Sequence, residues 1–140
     1  MNANSGALEA LRSVQDGWNR AMATWDVDAV DKLYDPEAQM FGSKPGLYRG
    51  PEGARRYYGR FGVERCVAHF ENQAVFSPDP MIVIGSGPVT FHMTAGGVAK
   101  ILDFRFSFVL RFAGRWGIFL HHESPAPPLG WRPAVRDCDR

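Results

Sequence analysis

From Leu102 to Phe112 every even-numbered position is apolar, whereas Asp103, Arg105, Ser107 and Arg111 occupy odd ones. Strand side chains alternate between two faces, so this run predicts a strand with an apolar face and a polar face. Trp116 to Ser124 predicts its partner. Within it His121 and Glu123 share one face, and His122 and Ser124 the other. Upstream, Val67 to Phe76, Met81 to Ile84 and Val89 to Thr94 also read as strands. They are punctuated at 77–80, 85–88, 95–97 and 113–114 by Gly, Pro, Ser and Asp. Such short gaps demand antiparallel hairpins, because parallel neighbours need long crossovers.

The first third of the chain has a different period. Leu8, Leu11, Val14, Trp18, Met22 and Trp25 recur at three- and four-residue steps, predicting a helix over Ser5 to Trp25 with Ser5 as its cap. Asp26 is placed to cap a second helix from Val27 to Tyr34, with Val30, Leu33 and Tyr34 inward. That helix ends at Asp35-Pro36, since a residue before proline avoids helical geometry. Ala38 to Phe41 is a short strand candidate and Gly42 to Gly50 a loop. Pro51 suits the first turn of a third helix, with Tyr57, Tyr58 and Phe61 as its bulk. Three helices before a strand meander predict an α+β fold, a curved antiparallel sheet with helices on one side. One domain over 5–127 is expected, followed by an extended, proline-rich tail over 128–140.

Composition removes several function classes. A formal net charge of +1, without a basic run interleaved with aromatics, argues against nucleic acid as a partner. No apolar window reaches the length of a membrane span, and the N-terminus lacks a signal-peptide pattern, so no membrane partner is expected. Cys66 and Cys138 are far apart, which is neither a disulfide framework nor a metal spacing, and a reducing, cytoplasmic compartment is the expectation. Without a helix-borne His pair or a CxxC, no metal is expected; Gly85-Ser86-Gly87 and Ala95-Gly96-Gly97 read as hairpin glycines, not phosphate cradles. No cofactor is expected. A serine triad also fails, since there is no Gly-x-Ser-x-Gly elbow.

Four junctions carry a family resemblance: Trp25-Asp26-Val27-Asp28-Ala29-Val30, Leu33-Tyr34-Asp35-Pro36-Glu37-Ala38, Arg49-Gly50-Pro51-Glu52-Gly53 ahead of Tyr57-Tyr58, and Gly114-Arg115-Trp116-Gly117-Ile118 leading to His121-His122-Glu123-Ser124-Pro125. In this order they resemble the nuclear transport factor 2-like superfamily, also called SnoaL-like or cystatin-like. The last motif is most similar to stand-alone bacterial relatives of the calcium/calmodulin-dependent protein kinase II association domain. The resemblance spans roughly residues 8 to 127. It implies a cone-shaped, strongly curved sheet around a pocket, with the outer sheet face commonly pairing subunits.

Mapped onto that cone, Phe104, Phe106, Phe108 and Leu110 would be a homodimer face, and Asp103, Arg105 and Ser107 would point into the pocket. Exposed adjacent phenylalanines on a monomer would be a costly open patch, which favours a dimer. The other assignment packs the apolar face on the chain's own helices and leaves the polar face in solvent. Both stay open.

Candidate chemistry follows from the first assignment. His121, Glu123 and Asp103 would be the proton-exchanging groups, and Arg105 with Ser107 would hold a ligand oxygen. A buried, self-satisfied network of Arg105 with Glu123 or Asp103 would use the same residues. Tyr34, Tyr57, Phe91 and Trp18, with Phe41, Phe61 and Met93, would be the pocket wall or plain core. His69 and Glu71, alternating on one strand face, would reach the pocket rim. In ketosteroid isomerase relatives the base follows helix two, where this chain has Phe41-Gly42-Ser43; in polyketide cyclase relatives a late-strand acid could match Asp103 or Glu123. Ser107 and Glu123 stand opposite the pocket arginines of the kinase association domain. The expected function is binding of a small molecule. The alternatives are an oligomerisation module, or an isomerase or cyclase acting on a polyketide- or steroid-like substrate.

Overall fold

The computed structural model describes residues 3–128, so Cys138 and most of the expected tail lie outside the described residues. Helix α1 spans Ala3–Met22 and buries Ala7, Ala10, Leu11, Val14, Trp18, Ala21 and Met22, the expected stripe with alanines added and Leu8 only half-buried. It starts before Ser5, which therefore lies within its first turn. It stops before Trp25, which takes a left-handed backbone (φ 50°). The Asp26 carboxylate accepts from the Asp28 and Ala29 amides, capping α2 (Val27–Val30). That helix is shorter than expected. It tightens into a 3-10 turn at Asp31–Leu33, and Tyr34 already opens strand β1 (Tyr34–Phe41). β1 runs through Pro36 with a register break between Tyr34 and Gln39, so the missing amide falls where pairing lapses.

After β2 (Tyr48–Arg49) comes α3 (Gly50–Tyr58), with Pro51 in its first turn. The remaining strands are β3 (Arg65–Phe70), β4 (Ala74–Asp79), β5 (Ile82–Ala95), β6 (Val98–Phe112) and β7 (Trp116–Pro125). Together with β1 and β2 they form one open seven-stranded sheet in the order β2-β1-β7-β6-β5-β3, with β4 also on β5. The fold is the expected α+β cone, but the sheet is mixed: β1 and β7 run parallel. Residues 42–115 form the crossover between them, long enough to permit that pairing.

Two strand expectations need correction. Val67 to Phe76 is two strands, because Asn72 turns the chain through a left-handed conformation (φ 49°). Gly85 to Pro88 is no hairpin but the middle of β5. A Cβ on Gly85 would lie 2.6 Å from Leu11 Cδ2, so this glycine serves the close approach of α1 to the sheet. Asn19 completes the docking of α1: its side chain accepts from the Ala68 amide (2.8 Å) and donates to the Ala68 carbonyl (3.0 Å) on the edge strand β3.

The faces of β6 are the reverse of the dimer assignment. Phe106 and Phe108 are each 3% exposed, Leu110 is fully buried and Phe104 packs against the same core, all facing the helices. Asp103, Arg105 and Ser107 are on the outer, exposed face. The phenylalanine face is thus the inside of the cone and cannot be the surface that pairs subunits.

A bulge in β7 sets how its residues meet β6. Phe112, Arg111 and Leu110 pair with Trp116, Gly117 and Ile118, but Val109 pairs with Leu120, leaving Phe119 as the extra residue. Arg111 holds this spot. It donates from Nε and a terminal nitrogen to both Asp35 oxygens (3.0 and 2.7 Å), and from that nitrogen to Glu37 (3.1 Å), with its guanidinium 4.3 Å from the Phe119 ring centre. Burial alone would raise the pKa of Asp35, yet the hydrogen bonds from Arg111 and the Glu37 amide hold it below the ordinary carboxylate value. Replacing Arg111 with Met strands a buried carboxylate and is expected to cost about 3 kcal/mol in urea unfolding. Arg111→Met with Asp35→Asn should recover part of that loss; a double variant as unstable as the sum of the single ones would remove the ion pair from this role.

Candidate functional site

Inside the cone lies a cleft with about 80 Å³ open to the centres of water-sized occupants. That is room for several waters or a small organic group. The helical layer supplies Trp18 and Trp25 at and after the end of α1, Tyr57 and Tyr58 at the end of α3, and Phe61 just beyond. The sheet supplies Cys66, Phe91, Met93, Leu102, Phe104 and Glu123, and the loop after β1 supplies Ser43. Gly42 makes the loop side possible: a Cβ there would occupy the space of the Tyr57 hydroxyl.

Behind this wall runs a buried line of hydrogen bonds. Trp18 Nε1–H donates to Tyr58 Oη (3.0 Å), Tyr58 and Tyr34 share a bond of 2.6 Å, and Tyr34 Oη lies 2.8 Å from His121 Nδ1. The Trp18 bond occupies a lone pair of Tyr58, so the Tyr58 proton is free to go to Tyr34 and the Tyr34 proton to His121. His121 then accepts at Nδ1 and carries its own proton on Nε2, which faces Glu123 Oε1 at 3.9 Å. Glu123 in turn accepts from Tyr57 Oη (3.3 Å), which itself accepts from the Ser43 amide (3.0 Å).

Burial shifts these groups away from charge. The Glu123 carboxyl is pushed up to about 7, chiefly by desolvation, with the Tyr57 hydrogen bond opposing. His121 is pushed down to about 3 by desolvation and then by the neighbouring His122. Tyr34 and Tyr58 rise well above the usual phenol value, mainly through burial, and Cys66 is pushed up to about 12 by burial and the nearby Glu123. At neutral pH the site therefore holds one carboxyl able to gain or lose a proton, beside a neutral imidazole.

The predicted site residues divide cleanly. His121 and Glu123 share the interior, as their spacing indicates, and Trp18, Tyr57, Phe91, Phe61 and Met93 line the cleft. Tyr34 stands behind it, bonded to His121. Asp103, Arg105 and Ser107 do not join them: Asp103 accepts from Thr90 on the outer face (3.0 Å), and Arg105 reaches towards Ser124 there (3.5 Å). The bulge is the physical reason. An uninterrupted ladder from Leu110–Ile118 would set Ser107 against His121 and Arg105 against Glu123. The extra residue instead pairs Phe108 with His121 and Phe106 with Glu123, and cross-strand partners share a face. Phe41 is 47% exposed and packs edge-on against His122, outside the cleft. His69 is exposed against His92 on the outer face, and neither it nor Glu71 lines the cleft. Trp25, Tyr58, Cys66 and Ser43 are cleft residues that the pattern of the sequence did not single out for the site. Among the described residues no cluster of three metal-ligating side chains occurs.

The chain belongs to the SnoaL-like domain family, whose model matches residues 11–128. Its fold is shared with a provisionally assigned calcium/calmodulin dependent protein kinase II association domain from Xanthomonas campestris (24% identity, 85% of this chain and 87% of that one, TM-score 0.78). It is shared too with a nuclear transport factor 2-like superfamily protein from Salmonella enterica (16%, 91% and 96%, 0.77). A third is a provisionally assigned scytalone dehydratase from Novosphingobium aromaticivorans (11%, 93% and 97%, 0.75). No curated protein matches the chain at a significant level.

The opposed shifts predict a pH signature. Folded Glu123 keeps a proton that the unfolded chain loses above about 4.5, so its contribution falls as pH rises towards 7. Folded His121 refuses a proton that the unfolded chain takes below about 6.5, so its contribution falls as pH drops towards 3. Between those two unfolded values the slopes, each roughly 1.4 kcal/mol per pH unit, cancel. Urea unfolding of Glu123→Gln should therefore show stability rising with pH in this window, and His121→Gln should show it falling. Parallel slopes in the two variants would contradict the assignment.

Proposed function

We propose that the protein is a small-molecule-binding SnoaL-like domain whose ligand occupies the aromatic cleft and meets Glu123 at its floor. The observation that carries this reading is a single ionisable acid set among apolar and aromatic side chains in the interior of the cone. Apolar walls with few convergent polar groups are what small-ligand sites present. Ser43 and Tyr57 add hydrogen-bonding capacity at the same point.

Phenol is a suitable first probe, being small, aromatic and equipped with one polar atom. It should give saturable binding by saturation-transfer NMR. Met93→Trp, which fills the cleft, should abolish that signal while far-UV circular dichroism stays native. Phenol binding that is non-saturable, or unchanged in the folded Met93→Trp protein, would sink the reading.

A second reading, proton-transfer catalysis, is favoured by Glu123 specifically. A carboxyl with a pKa of about 7 is matched to acid–base work at neutral pH, and a dehydratase is the provisional assignment of one fold neighbour. In that reading Glu123 is the proton-exchanging group, and His121, oriented by Tyr34, positions it or a substrate oxygen through Nε2–H.

A further inference from the structure

The charge balance of the cleft selects among ligands. Among the described residues Glu123 is the one lining side chain that can carry charge near neutral pH, and no Lys or Arg lines the space. The basic group beside it is His121, held neutral with its Nε2 3.9 Å away. Its hydrogen-bond donor, Tyr57 at 3.3 Å, is long for a bond to a charged oxygen. Among the described residues a carboxylate formed here accordingly has no counter-ion lining the cleft.

The surrounding walls are aromatic. Trp18, Trp25, Tyr58, Phe61, Phe91 and Phe104 bring π systems whose faces are negative. At the rim the Lys44 ammonium already sits 4.8 Å from the centre of the Phe61 ring, so one ring of the cleft takes a cation in the folded chain. An anionic ligand would be repelled by the ionised acid. A neutral one would meet the carboxyl in its protonated form and gain nothing from its charge.

Building on the cleft as the binding site, we propose that its ligand is a compact organic cation, an alkyl- or arylammonium head group held against the aromatic rings with Glu123 as its counter-ion. The size of the space suits a group such as trimethylammonium rather than an extended ring system. Because a bound cation favours the ionised carboxyl, binding near neutral pH releases a proton from Glu123 to solvent.

Choline and its uncharged carbon isostere 3,3-dimethylbutan-1-ol separate charge from shape. Titration calorimetry in two buffers of different ionisation enthalpy should show choline binding at least tenfold more tightly than the alcohol, with release of a fraction of a proton. Glu123→Gln, which preserves shape, should weaken choline about tenfold, abolish proton release and leave the alcohol unchanged. If the alcohol matches choline and no proton is released, the cation assignment falls while the cleft stands as a binding site. If choline fails to bind, the cation assignment falls outright; failure of choline, the alcohol and phenol together removes the cleft reading as well.

Discussion

Arg111 reaches across β7 to the buried carboxylate of Asp35 on β1, and the interior of the cone depends on that reach. Its bidentate bonds tie the first strand to the sixth, while its guanidinium covers Phe119, the extra residue of the bulge between them. Gly117, the partner of Arg111 on β7, lies directly against Asp35, and a Cβ there would make ordinary contact with it (3.6 Å to Asp35 Cβ). The ion pair therefore fixes the parallel β1–β7 contact and stands over the bulge in one arrangement. Beyond the bulge, His121 and Glu123 turn inward and His122 and Ser124 outward.

Everything chemical in the cleft follows from that inward turn. Two ionisable side chains enter a space already filled by aromatic rings, so both are driven towards their neutral forms. The tyrosine line gives the imidazole a definite orientation, with Nδ1 satisfied from behind and Nε2–H presented forward. The carboxyl accepts a hydrogen bond from Tyr57 and has His121 Nε2 3.9 Å away. A fold stabilised purely by burial would carry apolar residues here. The acid is retained at a cost in stability at neutral pH, because the folded form holds a proton that the unfolded chain gives up.

Much of this was legible in the chain. The helical stripe through Leu11, Val14, Trp18 and Met22, the Asp26 cap, Pro51 at the start of α3 and the alternation of β6 are local signals, and each appears in the fold. So does the shared face of His121 and Glu123, because the bulge lies before them and leaves their mutual spacing intact. Local signals also misled. Gly85-Ser86-Gly87-Pro88 has the composition of a turn, yet its first glycine answers to Leu11 from a distant helix. Trp25 and Tyr58 reach the cleft through helix ends whose geometry no periodicity specifies, and Trp25 Nε1–H is fastened there by the Tyr58 carbonyl (2.9 Å).

The alternating run from Leu102 to Phe112 shows where the boundary lies. The sequence by itself determined that this strand has two faces, that His121 and Glu123 stand together, and that helices precede an antiparallel meander. Those properties follow from side-chain periodicity, which is written into neighbouring residues. Which face of β6 looks inward, and which of its residues meet the acid and the histidine, was decided only in three dimensions. A single extra residue at Phe119 reverses the pairing of every position beyond it, and the contacts holding it, Asp35 and Arg111, are far apart in the chain. Phe106 and Phe108 thereby became the company of Glu123 and His121, and Arg105 was left on the outer surface.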